Sequence, residues 1–199
     1  MNRQPIIVAD AGPLIRLVAA GLLDALRGTN RRIVLIDRIE DEVAGGLTKP
    51  FAPELKSWIA DMGAAIERVD TVVGYGVRAL RERQRSAPED RLLKSALRDS
   101  GEQALREFVG HWHPQESAEA LVLYEDRKVA TLFLDADFAL TLMTTRAFVR
   151  TIASWGINTD ATAALERIAD RYDLKPALVG HIDPETPPDM RQLPQEMKP

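Results

Sequence analysis

The sequence predicts an α/β fold in which a central, mostly parallel sheet of about five strands is flanked by helices, and three features carry that expectation. Residues Ile6-Ile7-Val8-Ala9 form an unbroken apolar run rich in β-branched side chains, the texture of a strand buried on both faces. Asp10 closes the run, and Gly12-Pro13 opens an amphipathic helix, with Pro at a first-turn position whose N–H has no intrahelical partner. Further apolar runs alternate with stretches of helical period, a pattern that specifies a parallel sheet with helical crossovers.

The remaining elements follow in order. Leu14, Leu17, Val18, Leu22, Ala25 and Leu26 recur at helical spacing up to Gly28. Ile33 to Ile36 is a second buried strand. Asp37 and Glu40 stand in capping-box spacing ahead of a short helix, Arg38 to Ala44, that Gly45-Gly46 ends. Leu55, Trp58, Ile59 and Met62 mark a helix stopping at Gly63, with both Trp58 and Trp155 read as core. Ala65 to Val69 is a third strand.

Strand signals then vanish. Between Gly74 and Asp99 seven cations face four carboxylates, which marks a basic helical insert (74–114) on an acidic body. Pro88 divides it into two helices, and Ser100 caps a third that runs to His111. A helix from Pro114 is expected to carry Glu116, Glu119, Leu121, Val122 and Tyr124. Val129 to Leu134 reads as a fourth strand, ended by Asp135-Ala136-Asp137. Helices around Leu140 to Met143 and Ala147 to Trp155, a short strand at Ile157 to Thr159 and a helix capped by Asp160 complete a domain spanning 1–175. Residues 176–199 are a proline-rich tail.

Composition narrows the chemistry. The 199 residues suit one domain, and the absence of cysteine excludes disulfides and thiolate metal sites. No apolar run approaches the ~20 residues of a membrane span, and the N-terminus lacks a signal-peptide core, so a cytoplasmic protein without membrane contact is expected. A net charge of −4 argues against binding nucleic acid through bulk charge, though not against a local basic patch.

The acidic residues are the informative ones. Asp10 and Asp135 each end an expected buried strand, so a parallel sheet would bring both to one edge, the edge at which open α/β sheets bind ligands. Asp137 lies two residues on, Glu116 and Glu119 lie on the expected preceding helix, and Glu42 lies in the helix after the second strand. Carboxylates gathered without matching cations repel, unless a divalent cation neutralises them. Oxygen-only ligation suits Mg²⁺ or Mn²⁺, and two such ions can hold a phosphodiester for in-line displacement. Taken singly, Asp10 reads as well as an N-cap as a ligand, Asp137 reads more simply as a cap, and Glu42 and Glu116 read more simply as solvated helix residues.

The stretches around Asp10, Ile39-Glu-Asp-Glu42-Val, Ala118-Glu119-Ala-Leu-Val-Leu and Leu132-Phe-Leu-Asp135-Ala-Asp137-Phe resemble, in order, the motifs of PIN-domain ribonucleases, in particular the toxins of bacterial toxin-antitoxin pairs. The resemblance covers most of residues 5–174. It implies a three-layer PIN-like domain that cuts RNA with Mg²⁺ or Mn²⁺, with Asp10, Glu42, Glu119 and Asp135 as first to fourth acids. Asp137 is accessory in that scheme, and Glu116 is a further candidate metal ligand. It also implies a small antitoxin protein and a homodimer as partners. The third acid in this branch usually follows a Gly-Glu pair, which leaves Glu116 and the Glu102 of Ser100-Gly101-Glu102 as rivals to Glu119. Glu40 and Asp41 rival Glu42.

Other features weigh less. His111-Trp112-His113 is a helix-end cluster rather than a metal site, given one further His in the chain. Arg78, Arg81 and Arg85 fall on one helix face, either gripping phosphates or, more simply, salt-bridged or solvated. From another class, a non-catalytic interaction module would use the acids only as caps. A receiver-type phosphoacceptor also wants acids at strand ends, but no Lys lies between Lys128 and Lys175 to serve it.

Overall fold

The computed structural model describes residues 5–46, 49, 51–84, 91–111, 119–131, 133 and 140–172. Its elements run β1 (Ile6–Ala9), α1 (Ala11–Ala19), α2 (Asp24–Gly28), β2 (Arg32–Ile36), α3 (Asp37–Ala44), α4 (Ala52–Met62), β3 (Ile66–Val69), α5 (Val72–Gln84), α6 (Arg91–Leu97), α7 (Ser100–His111), β4 (Ala120–Tyr124), α8 (Arg127–Thr131), β5 (Leu140–Thr144), α9 (Thr145–Ser154) and α10 (Ala161–Tyr172). The strands form one sheet in the order β3-β2-β1-β4-β5, with every neighbouring pair parallel. The expected α/β architecture of a five-stranded parallel sheet flanked by helices is therefore present.

Strand order reverses between β1 and β4. From β1 the chain winds outward through β2 to β3, then returns to the other side of β1 to lay down β4 and β5. Every residue of β1 and β4 is buried, which is why both read as unbroken apolar runs. A single apolar cluster joins these strands to Leu17 of α1, Ile39 of α3, Leu105 of α7 and Phe148 of α9. Trp58 belongs to that cluster and Trp155 packs against it, as expected.

The second half of the chain departs from the sequence reading. Ala120–Tyr124 is a strand, not part of a helix, because five consecutive buried apolar residues satisfy a central parallel strand as well as they would a buried helix. Val129 to Thr131 is helical, in α8, and the rest of the expected fourth strand falls largely outside the described residues. Leu140–Thr144 is strand β5 rather than helix. Residues 157–159 form no strand. Near the N-terminus, Gly21 at φ +70° takes the left-handed conformation that separates α1 from α2. Tail residues 176–199 and the Pro88 boundary lie outside the described residues.

One buried carboxylate docks the basic insert. Asp37, the first residue of α3, accepts hydrogen bonds from Thr71 N–H (3.2 Å), Thr71 Oγ1–H (2.8 Å) and Arg78 Nη1 (2.8 Å). Arg78 also bridges to Asp70, and Arg81 to Asp41. The face bearing Arg78 and Arg81 is thus salt-bridged to the body, and Arg85 lies outside the described residues. Helix α7, by contrast, is built into the body: Ala104, Leu105 and Val109 are buried, and it packs on α3 and β2.

Gly74 shows how closely α5 approaches. A Cβ there would stand 1.7 Å from Asp37 Oδ2, whereas one at Gly76 would meet nothing. Gly74→Ala should displace the Asp37 carboxylate from its donors and lower unfolding free energy by about 2 to 4 kcal/mol. Gly76→Ala should be neutral or stabilising by up to about 1 kcal/mol. Urea denaturation of the two variants checks the contrast.

Candidate functional site

The strand-order reversal places the candidate site. In an open parallel sheet a crevice forms beyond the carboxyl ends of the strands where the winding changes direction. Here that point lies between β1 and β4. Ala9 is in register with Leu123, and Asp10 donates its backbone N–H to Leu123 O at 3.0 Å. Asp10 therefore leaves β1 beside the point where Tyr124-Glu125-Asp126 leaves β4.

Of those two acids, Glu125 faces inward. It forms an ion pair with Arg16 of α1 at 3.2 Å, with both side chains about 10% exposed, and accepts the Thr145 N–H at the start of α9. Gly12 lets it fit: a Cβ at that position would lie 2.9 Å from Glu125 Cβ. Asp126 is the exposed member, and it turns to the crevice.

Two helix segments bring further carboxylates. Glu42 comes from α3, and Glu102 from the first turn of α7. The two helices meet so tightly that a Cβ on Gly101 would stand 2.8 Å from Glu42 Oε2. Asp99, which precedes α7, adopts φ +54°, a left-handed conformation that Asp tolerates better than most residues. Asp10, Glu42, Glu102 and Asp126 line one cleft of about 560 Å³, together with Asp41, Asp99, Arg38, Lys49 and Arg81.

Charge in this cleft is sorted. Arg38 Nη1 and Arg81 Nη1 both reach Asp41 Oδ2, at 2.6 and 3.0 Å. Lys49 donates to the backbone carbonyls of Asp41 and Glu42 at the end of α3, where a cation suits the helix dipole. Asp10 is placed differently. Burial pushes its carboxyl up to about 6 from the usual 3.8, against the lowering effect of the Ala11 N–H, and the negative charges of Glu42, Glu102 and Asp126 push the same way.

The acids expected from sequence are redistributed by this geometry. Asp10 and Glu42 do share the cleft. Glu119 does not: its carbonyl accepts the N–H of Ile6, at the opposite end of β1, about 16 Å along the strands from Asp10. Its side chain pairs there with Arg31 at 3.7 Å. The expected helix that would have carried Glu119 to the crevice is strand β4, entered at that residue. Glu116, Asp135 and Asp137 lie outside the described residues.

Among the rivals, Glu40 pairs with Arg68 and Asp41 with two arginines, so Glu42 is the α3 acid that faces Asp10. Glu102, the rival to Glu119, lines the cleft with Asp10 and Glu42. Asp126 is absent from the acids expected from sequence, since the helix expected over Ala120 to Tyr124 puts no strand end beside Asp10. Its signal was present: Ala120 to Tyr124 closed by acids repeats the pattern of Ile6 to Ala9 closed by Asp10.

The donor set suits a hard divalent cation in kind, since the carboxylates around Asp10 offer only oxygen and their mutual repulsion favours a positive occupant. Among the described residues, no three Asp, Glu or His side chains already stand as a ligand group. No helix among these residues is long and apolar enough to cross a membrane. Comparison with family models, with curated proteins and with solved structures found no match for this chain.

The Asp10 shift has a measurable consequence. Its proton is held more tightly in the folded chain than in the unfolded one, so its contribution to stability is fully present below about pH 4 and is lost as pH rises through about 6. In metal-free buffer, Asp10→Asn should therefore be more stable than wild type at pH 7.5, by about 1 to 3 kcal/mol, and equally stable near pH 4. Thermal unfolding across that range tests it, and a pH-independent difference would contradict it.

Proposed function

We propose that this chain is a Mg²⁺- or Mn²⁺-dependent endoribonuclease. The observation carrying this reading is the convergence of Asp10, Glu42, Glu102 and Asp126, from four separate segments, on the crevice where the parallel sheet reverses. Asp10 and Glu42 keep the roles implied by the resemblance to PIN-domain ribonucleases. Glu102, in its Ser-Gly-Glu setting, becomes the third acid and Asp126 the fourth.

A bound divalent ion would neutralise the acids, orient a phosphodiester and make water a competent nucleophile. The chain's own contributions are distinct. Asp10, at the floor, gives up its proton when a cation arrives, so function should strengthen as pH rises through about 6. Arg81 and Lys49, at the margin, offer positive charge to the phosphates of a strand crossing the acidic floor. Glu125 holds the end of β4 to α1 through Arg16 and so presents Asp126.

RNA as substrate, a role as the toxin of a toxin-antitoxin pair, the small neutralising partner and the homodimer rest on the motif resemblance. An interaction module without catalysis is the second reading, and the observation in its favour is that no ligand group is preformed among the described residues.

Cleavage of single-stranded RNA and DNA with Mn²⁺ at pH 8 decides between them. Asp10→Asn, Glu102→Gln and Asp126→Asn should each lower the rate by about 100-fold or more, the scale of losing a group used in the transition state. Glu119→Gln should leave it unchanged. Equal rates for wild type and Asp10→Asn, or a loss confined to Glu119→Gln, would overturn the assignment.

A further inference from the structure

The helices that carry Glu42 and Glu102 are bonded to one another through a side chain that the motif resemblance does not mention. Arg38 is on α3, one turn before Glu42 and on the same face. Its side chain is 5% exposed, and both edges of its guanidinium are engaged. Nε and Nη2 donate to Ser100 Oγ at 3.2 and 2.9 Å, while Nη1 donates to Asp41. Ser100 is the first residue of α7, 2% exposed, and its hydroxyl donates in turn to Leu97 O at 3.1 Å. Two residues later comes Glu102. Between them sits Gly101, whose backbone the Glu42 carboxylate overlies.

We propose that Arg38 is a positioning residue that sets the separation of Glu42 and Glu102 by clamping the start of α7 to α3 through Ser100. The role rests on the metal-dependent reading of the cleft. A buried ion pair is a weak source of net stability, and an apolar side chain would fill the same volume. What the guanidinium supplies is direction: a planar fork that reaches Ser100 from one edge and Asp41 from another, which a lysine cannot reproduce. Asp41 also takes Arg81, so the clamp extends to α5 and fixes three helices around one lip of the cleft. Asp41 is thereby committed to arginines, leaving Glu42 to face Asp10.

Calorimetric titration of the full chain with Mn²⁺, alongside thermal unfolding, tests the clamp. Arg38→Lys and Ser100→Ala should bind Mn²⁺ about 10- to 100-fold more weakly than wild type, the range seen when the partners that orient metal ligands are removed. The half-saturating Mn²⁺ for RNA cleavage should rise by the same factor, while the rate at saturating Mn²⁺ stays within about 3-fold. A merely structural role would lower the melting temperature and leave the Mn²⁺ dependence alone. Should Arg38→Lys fail to fold, Ser100→Ala decides. Wild-type affinity in the folded variants overturns the clamp while the metal reading stands. Absence of Mn²⁺ uptake by the wild-type chain overturns both.

Discussion

The parallel pairing of β1 with β4 is the constraint on which the rest of this molecule depends. Because the strand order reverses there, no crossover helix needs to cover the carboxyl ends of these two strands, and the hydrogen bond from Asp10 N–H to Leu123 O aligns their ends. Asp10 and Asp126, more than a hundred residues apart in the chain, become neighbours through backbone geometry alone. Helix α7 reaches the same place from the far side of the insert because its apolar face packs on α3 and β2. The cleft is thus a product of ordinary hydrophobic packing, and its charges are carried there as passengers.

Those charges divide into two populations. One set builds structure: Asp37 receives Thr71 and Arg78, Asp41 receives Arg38 and Arg81, Glu125 receives Arg16, and Glu40 receives Arg68. Arg78 and Arg81 of the basic insert find counter-charges in Asp37 and Asp41 of α3, which ties that arginine-bearing face to the acidic body. The other set surrounds Asp10. For two like charges near 5 Å at an effective dielectric of about 20, repulsion is about 3 kcal/mol. Even so, loss of water at the buried carboxyl outweighs its neighbours in raising Asp10. A carboxyl that is desolvated and stands among like charges favours a neighbouring cation on both counts.

How far the sequence could be read depended on which residues had alternatives. The Ile6 to Asp10 strand with its Gly-Pro turn, strand β2, the short α3 and the Ser100 to His111 helix all stand where the local apolar pattern puts them, although Asp37 is the first residue of α3 rather than its cap, and Glu40 pairs with Arg68. At Ala120–Tyr124 the structure differs from the expectation, because Ala-Leu-Val-Leu-Tyr carries no period that distinguishes strand from buried helix. Reading that run as helix puts Glu119 on the crevice side and leaves out Asp126 at the end of β4, while Asp135 lies outside the described residues. Glu102, a rival to Glu119 through its Ser-Gly-Glu setting, reaches the cleft because α7 packs on α3.

By itself, then, the sequence determined the class of fold, the burial of its first two strands and the place of Asp10 at the end of β1, since these follow from local patterns of apolar and turn-forming residues. Only the tertiary structure decided which carboxylates meet, because strand order and register are settled by long-range packing that no local pattern encodes. Residues identical in type were thereby assigned to opposite ends of the sheet: Glu119 to Arg31 at one edge, and Glu42 with Glu102 to the cleft at the other.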